Sequence, residues 1–212
     1  MVKILLLQLW YKLSDPQIER KIRDRISKTG KGRSVFNEIR DQIMAKGIRI
    51  RKGTMQDASF IEADNGDYWK PKGNKSKTRR SISATRHIPV NEIKIIEKLA
   101  VTSASVHNSQ IDLPIPGIVC YRHKRYFCSP CRGIDATMDR SAKGHKLPVQ
   151  SVRRNLCISR IRSMVEHPYA FCKRMFQFSH VMITTVQRVR VKTYFTAMCY
   201  NLMRARFLDR IG

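Results

Sequence analysis

The spacing of apolar residues changes once along this chain, at Ile48, and that change sets the fold class. Before it, Ile18, Ile22 and Ile26 recur every four residues, and Val35, Phe36, Ile39 and Ile43 share one face of a second helix. Ser14-Asp15-Pro16-Gln17 supplies a cap, a first-turn proline and a capping-box spacing for the first helix, which runs to Ser27. Lys28-Thr29-Gly30-Lys31-Gly32 reads as a loop, and Gly47 stops the helix that starts at Ser34. After the change, Ile48, Ile50 and the Thr54–Ile61 stretch alternate around a turn at Lys52-Gly53, as strands do.

The later elements are shorter. Residues 64–80 are polar and turn-rich and should form an exposed loop. Glu92–Thr102 is ambiguous, with a strand at its end the better reading. Gly117–Tyr121 reads as a short buried strand, and residues 129–150 as irregular chain. Ile158–Met175 reads as a helix that Pro168 must kink or tolerate, and a last helix spans Thr184–Leu208 on a stripe of Val186, Val189, Phe195, Met198 and Leu202. The expectation is an α/β protein in two parts, a helical lead-in over 1–47 and an α/β unit over 48–212.

Charge then narrows the partner. The net charge of +26 comes from 42 Lys+Arg against 16 Asp+Glu, and it is unevenly spread. Residues 1–69 carry 14 basic and 9 acidic side chains, whereas residues 151–212 carry 12 and 2. A surface that self-repels this strongly calls for a polyanion, and nucleic acid is the best fit. An anionic membrane fits less well, because the cations are dispersed over several segments and no apolar run approaches the ~20 residues of a membrane span. The opening Val2–Trp10 run resembles a signal peptide only until Tyr11-Lys12, with no small-residue cleavage site after it, so a cytoplasmic location is expected.

Two residue groups carry candidate chemistry. Cys120, His123, Cys128 and Cys131 have spacings that tetrahedral zinc would accept, but Cys120 falls in a strand that should be buried, and we read zinc binding as unlikely. The remaining cysteines read as reduced, buried filler. The second group is a pair of acids, Asp57 on the alternating strand and Glu166 among Arg160, Arg162, Lys173 and Arg174. Composition alone makes such an isolated acid an ion-pair partner sooner than a metal ligand.

Four stretches alter that balance when taken in order. They are Leu9–Pro16, Lys52-Gly53-Thr54-Met55-Gln56-Asp57-Ala58-Ser59, Val106–Gln110 and Arg162-Ser163-Met164-Val165-Glu166-His167-Pro168-Tyr169 with the following Lys173-Arg174. Together they resemble the DDE-type transposases of prokaryotic insertion sequences over nearly the whole chain. The resemblance implies an RNase H-like core over 48–212, a two-Mg²⁺ site held by three carboxylates, and cleavage and joining of DNA strands. By match, Asp57 is the first ligand and Glu166 the last. Lys75, Lys77, Arg79, Arg80, Arg160, Arg162, Lys173 and Arg174 are the expected DNA-binding residues. The implied partners are double-stranded DNA and the element's terminal repeats, with a homodimer left open.

The chain departs from that pattern at one ligand. Where relatives carry the second acid, it reads Tyr121-Arg122-His123-Lys124-Arg125-Tyr126, which puts His123 in the acid's place and Arg125 in that of a turn glycine. Imidazole is a poor Mg²⁺ ligand and brings no negative charge. A stretch between Arg80 and Val101 that should supply central strands also looks missing. The reading is a decayed or internally deleted copy with an incomplete core and little or no Mg²⁺-dependent cleavage. Two alternatives stand beside it, a non-catalytic basic DNA-binding protein of transposase descent and a zinc-stabilised nucleic-acid-binding module.

Overall fold

A computed structural model describes residues 24–46, 53–63, 83–107, 110–176, 178, 180–181 and 185–211. It is an α/β protein built on one mixed sheet. Of the helix expected over 14–27, the part before residue 24 lies outside the described residues, and its described end continues through Thr29, into the stretch expected as a loop. The strand at Ile48 and Ile50 and the loop over 64–80 with Lys75, Lys77, Arg79 and Arg80 also lie outside the described residues.

Strand β1 (Thr54–Ala63) is the centre of the sheet. It pairs antiparallel with β2 (Ser83–Asn91), which pairs antiparallel with β3 (Ala100–Ser103). On its other side β1 runs parallel to β4 (Val119–Arg122), and β4 runs parallel to β5 (Ile134–Thr137). The spatial order is therefore β3-β2-β1-β4-β5, with the short β6 (His180–Val181) added beside the end of β1. The expectation of missing central strands is corrected here. The chain between Arg80 and Val101 holds β2, the longest partner of β1, and the start of β3. Its polar, proline-containing sequence hid the strand, because Arg86 shares one face with Ile88 and Val90 while Thr85 and His87 take the other, and both faces are covered. β5 was also hidden, inside the stretch expected to be irregular.

Among the described residues, 24–29 are helical and four longer helices flank the sheet: α1 (Gly32–Ala45), α2 (Val149–Arg162), α3 (Glu166–Phe176) and α4 (Val186–Ile211). The single helix expected across Ile158–Met175 is two. A 3₁₀ turn at Ser163–Val165 separates them, and Pro168 sits harmlessly in the first turn of α3, where no backbone donor is needed. Among the described residues no helix is long and apolar enough to cross a membrane.

One face of β1 and β2 carries Met55, Ile61, Ala84, Ile88 and Val90, all nearly inaccessible, against Val165, Tyr169 and Cys172 of the α3 region and Val189, Phe195 and Met198 of α4. α1 joins this core through Phe36, whose ring centre lies 5.8 Å from that of Tyr194. Asn201 on α4 clasps the chain before β3, accepting from Ile96 N and donating to Ile96 O at 2.9 Å each. Gly53 is required at the entry to β1. Its φ is +115°, and a Cβ there would stand 2.7 Å from the carbonyl oxygen of Val119.

Candidate functional site

Parallel pairing of β1 with β4 brings Asp57 and His123 side by side. The last registered pair is Gln56 with Arg122, so the next residue on each strand is Asp57 and His123. β4 ends there because His123 caps a 3₁₀ turn, Lys124–Tyr126, its Nδ1 accepting the Arg125 backbone N–H at 3.3 Å. That bond leaves the proton of a neutral ring on Nε2.

A third residue closes on this pair from α2. Arg162 ends that helix, and its Nη2 lies 3.0 Å from Asp57 Oδ2, with the side chains 12% and 26% exposed. Its Nη1 reaches the Met138 sulfur at 3.9 Å, while Nε is buried without a partner. Burial lowers the pKa of His123, and the Arg162 guanidinium lowers it further against the opposing pull of Asp57. The imidazole is thereby held neutral beside a guanidinium–carboxylate pair. Arg162, expected to meet DNA phosphates, is turned inward instead.

Glu166 stands one turn beyond Arg162 as the first residue of α3, and it is exposed. Its helix is fixed against β1 by Tyr169, three residues on, whose hydroxyl donates to the backbone oxygens of Asp57 at 2.9 Å and Arg86 at 3.3 Å. His167 does not serve Glu166. Its Nδ1 meets the Tyr200 hydroxyl at 3.2 Å, and the hydroxyl donates to Lys94 O at 2.8 Å. Arg160, Lys173 and Arg174 are exposed, the last two in the final turn of α3.

The four residues with zinc-like spacing are dispersed in burial and direction. Cys120 is inaccessible, its thiol directed at Gln56 Oε1 at 4.0 Å, and burial pushes its pKa to about 12. Cys128 is exposed at a φ of +60°, and Cys131 is half-buried. Among the described residues no three His, Cys, Asp or Glu side chains are grouped as metal ligands.

Two buried arginines were missed in the sequence. Arg122, fully inaccessible, donates to Thr137 Oγ1 at 2.8 Å and to the carbonyls of Pro130 and Ser129 at 3.1 Å each, and pairs with Asp135 at 3.1 Å. Arg86, 3% exposed, lies between two rings, 4.7 Å from the centre of Tyr169 and 5.0 Å from that of Phe178. It stands opposite Ser59, on the same face of the sheet as Asp57. An arginine inside an otherwise alternating strand was the available signal for both, but in a chain this basic it does not stand out.

Compared with known proteins, the chain matches no family model, no curated protein and no solved structure.

Proposed function

We propose that this chain is a DNA-binding protein of the insertion-sequence transposase type, with an RNase H-like core whose strand-cleaving chemistry is lost. The observation that carries the reading is the placement of Asp57, inside central strand β1, beside His123, which follows the last residue of the parallel neighbour β4, with the Arg162–Glu166 helix junction beside them. The strand order β3-β2-β1-β4-β5 is consistent with an RNase H-like sheet, and the net charge of +26 supports a polyanionic partner.

The donor set does not fit a two-magnesium centre. One carboxylate is already neutralised by Arg162, its neighbour is an imidazole, and the other acid faces solvent. Mg²⁺ needs several hard oxygen ligands in near-octahedral geometry. A guanidinium here balances the Asp57 charge that a metal would balance elsewhere, and no cleavage step is assigned. The function left to this core is binding.

The test is a titration of duplex DNA against salt together with a nicking assay in Mg²⁺. Affinity should fall ~10³–10⁵-fold between 50 and 200 mM salt if ~6–10 phosphates are neutralised, and no nicks should accumulate. Salt-independent binding, or none at low salt, removes the DNA reading. Nicking abolished by Asp57→Ala restores the enzymatic one.

A further inference from the structure

We propose that the cleft between the outer edge of β3, the first turns of α4 and the chain entering α1 is a phosphate-binding site for a nucleic-acid strand. The proposal rests on the DNA-binding reading above and names one surface that performs it. The cleft encloses about 410 Å³. Its floor is Leu99–Thr102, one wall is the Ile26–Arg33 segment, and the other is Gln187, Arg190, Val191 and Tyr194, a single face of α4.

Charge makes it specific for an anion. Arg33 and Arg190 both line the cleft, and no carboxylate does so among the described residues. Tyr194 lines it too, and both guanidinium groups oppose the rise that burial causes in the Tyr194 pKa. Asp24, two residues before that wall begins, is engaged by Arg188 at 2.8 Å. That pair also ties the segment leading into the wall to α4. At the β1–α2 contact Arg162 is spent on Asp57, whereas among the described residues no carboxylate pairs with Arg33.

The cleft's geometry suits a backbone phosphate better than an added strand. β3 is the edge of the sheet, where a peptide could pair, but Arg190 Nη2 already donates to Val101 O at 3.2 Å and covers that edge. The same bond pins the guanidinium at the rim, so little of its freedom remains to be lost when a phosphate arrives. At the mouth, Gly30 has φ +65° and open space where a Cβ would stand, and Ser27 and Gln187 add neutral hydrogen-bonding groups. The cleft lies two strands from β1, about 10 Å across the sheet from Ser59. A strand held there need not touch Asp57.

The experiment measures binding of a labelled duplex by the full chain across a salt series. Arg33→Ala/Arg190→Gln is compared with Arg206→Ala/Arg210→Ala, which removes the same charge about 24 Å further along α4. The cleft variant should flatten the log–log salt slope by ~1–2 and weaken binding ~10-fold near 100 mM salt, beyond the effect of the control pair. Arg33→Ala alone, at an exposed side chain, should give about half of that and keeps the test intact if Arg190→Gln fails to fold. A parent that binds DNA with the cleft and control variants indistinguishable overturns the cleft and leaves the DNA reading standing. A parent that binds no DNA overturns both. A labelled mononucleotide is the second probe. If the parent binds it more tightly than duplex, and Arg33→Ala abolishes that, the ligand is a free nucleotide and the strand assignment falls.

Discussion

The two sides of β1 are held together by different forces. On the β2–β3 side, the nine-residue β2 pairs along nearly the whole of β1, and helices α1, α3 and α4 seal that side with apolar side chains that are almost wholly inaccessible. On the β4–β5 side, each strand has four residues, and α2 buries little more than Asn155 and Ile158. Val149, Val152 and Leu156 of α2, with Ile134 of β5, remain exposed. What organises this thinner side is the Arg122 guanidinium, which gathers Thr137, Ser129, Pro130 and Asp135 around one buried group. A side built by area burial degrades gradually when atoms are removed. A side built around one buried ion degrades at that ion and nowhere else as sharply.

The largest expected effects test that contrast directly. Ile88→Ala removes a side chain 2% exposed from the thick side and should cost about 2–5 kcal/mol, seen as a lower Tm with unfolding still in one step. Arg122→Met should cost about 3 kcal/mol, since buried carbonyls and the Thr137 hydroxyl lose their donor. Its effect should be local, with amide exchange accelerating in β4 and β5 while β1 and β2 stay protected. Equal acceleration throughout both sides would show that the sheet is one cooperative unit and that the contrast is only structural.

The thick side was the more legible in sequence, for the same physical reason. Apolar periodicity is a signal of area burial, so α1, β1, the end of the Glu92–Thr102 stretch and α4 could be read from Phe36, Met55, Val101 and Met198. β2 was lost because its two faces are both buried but one is polar, with Thr85 and His87 inside. β5 was lost because Ile134 points outward and Asp135 and Thr137 serve Arg122. At the candidate site, the sequence located the neighbours Asp57 and His123 through their motifs. It could not show that Arg162 would turn inward, because choosing between a phosphate and a carboxylate requires knowing which strand end the helix reaches.

A smaller effect appears in the pH dependence of the thick side. Glu97 is 4% exposed, and burial raises its carboxyl pKa to about 7 despite the Asn91 hydrogen bond and the Arg40 charge, with Glu92 and Asp41 adding to the rise. The folded state then holds a proton that the unfolded state releases above pH 4.5, so this group's contribution declines as pH rises from 4.5 to 7. His87 works the other way. Burial lowers its pKa to about 4, so below the ordinary imidazole value of 6.5 the unfolded state binds the extra proton and stability climbs as pH rises from 4 to 6.5. The two slopes oppose each other in the parent. Glu97→Gln should unmask the histidine slope and, above pH 7, stabilise the protein on the order of 2 kcal/mol. Urea unfolding at pH 5 and pH 8 measures this, and a variant whose stability relative to the parent is the same at both values would mean that Glu97 titrates normally.

The smallest stability effect should come from the pair that joins the two sides, Asp57 of β1 and Arg162 of α2. Both side chains keep some contact with water, so Arg162→Met should cost only about 1 kcal/mol, and the double change with Asp57→Asn should cost little more. The pair's importance lies in what it occupies. With Arg162 replaced and His123→Asp added, two carboxylates stand at neighbouring positions of β1 and the end of β4 with the Arg162 cation gone, a donor set that suits Mn²⁺ better than the parent's does. The Arg162→Met/His123→Asp variant should therefore take up Mn²⁺, read as loss of the free-ion EPR signal, and gain Tm on adding the ion, while the parent does neither. Uptake by the variant supports positions 57 and 123 as the remnant of a metal site that Arg162 has closed. If neither the ion signal nor the Tm responds, positions 57 and 123 do not converge as ligands, and the RNase H-like reading loses the observation on which it stands.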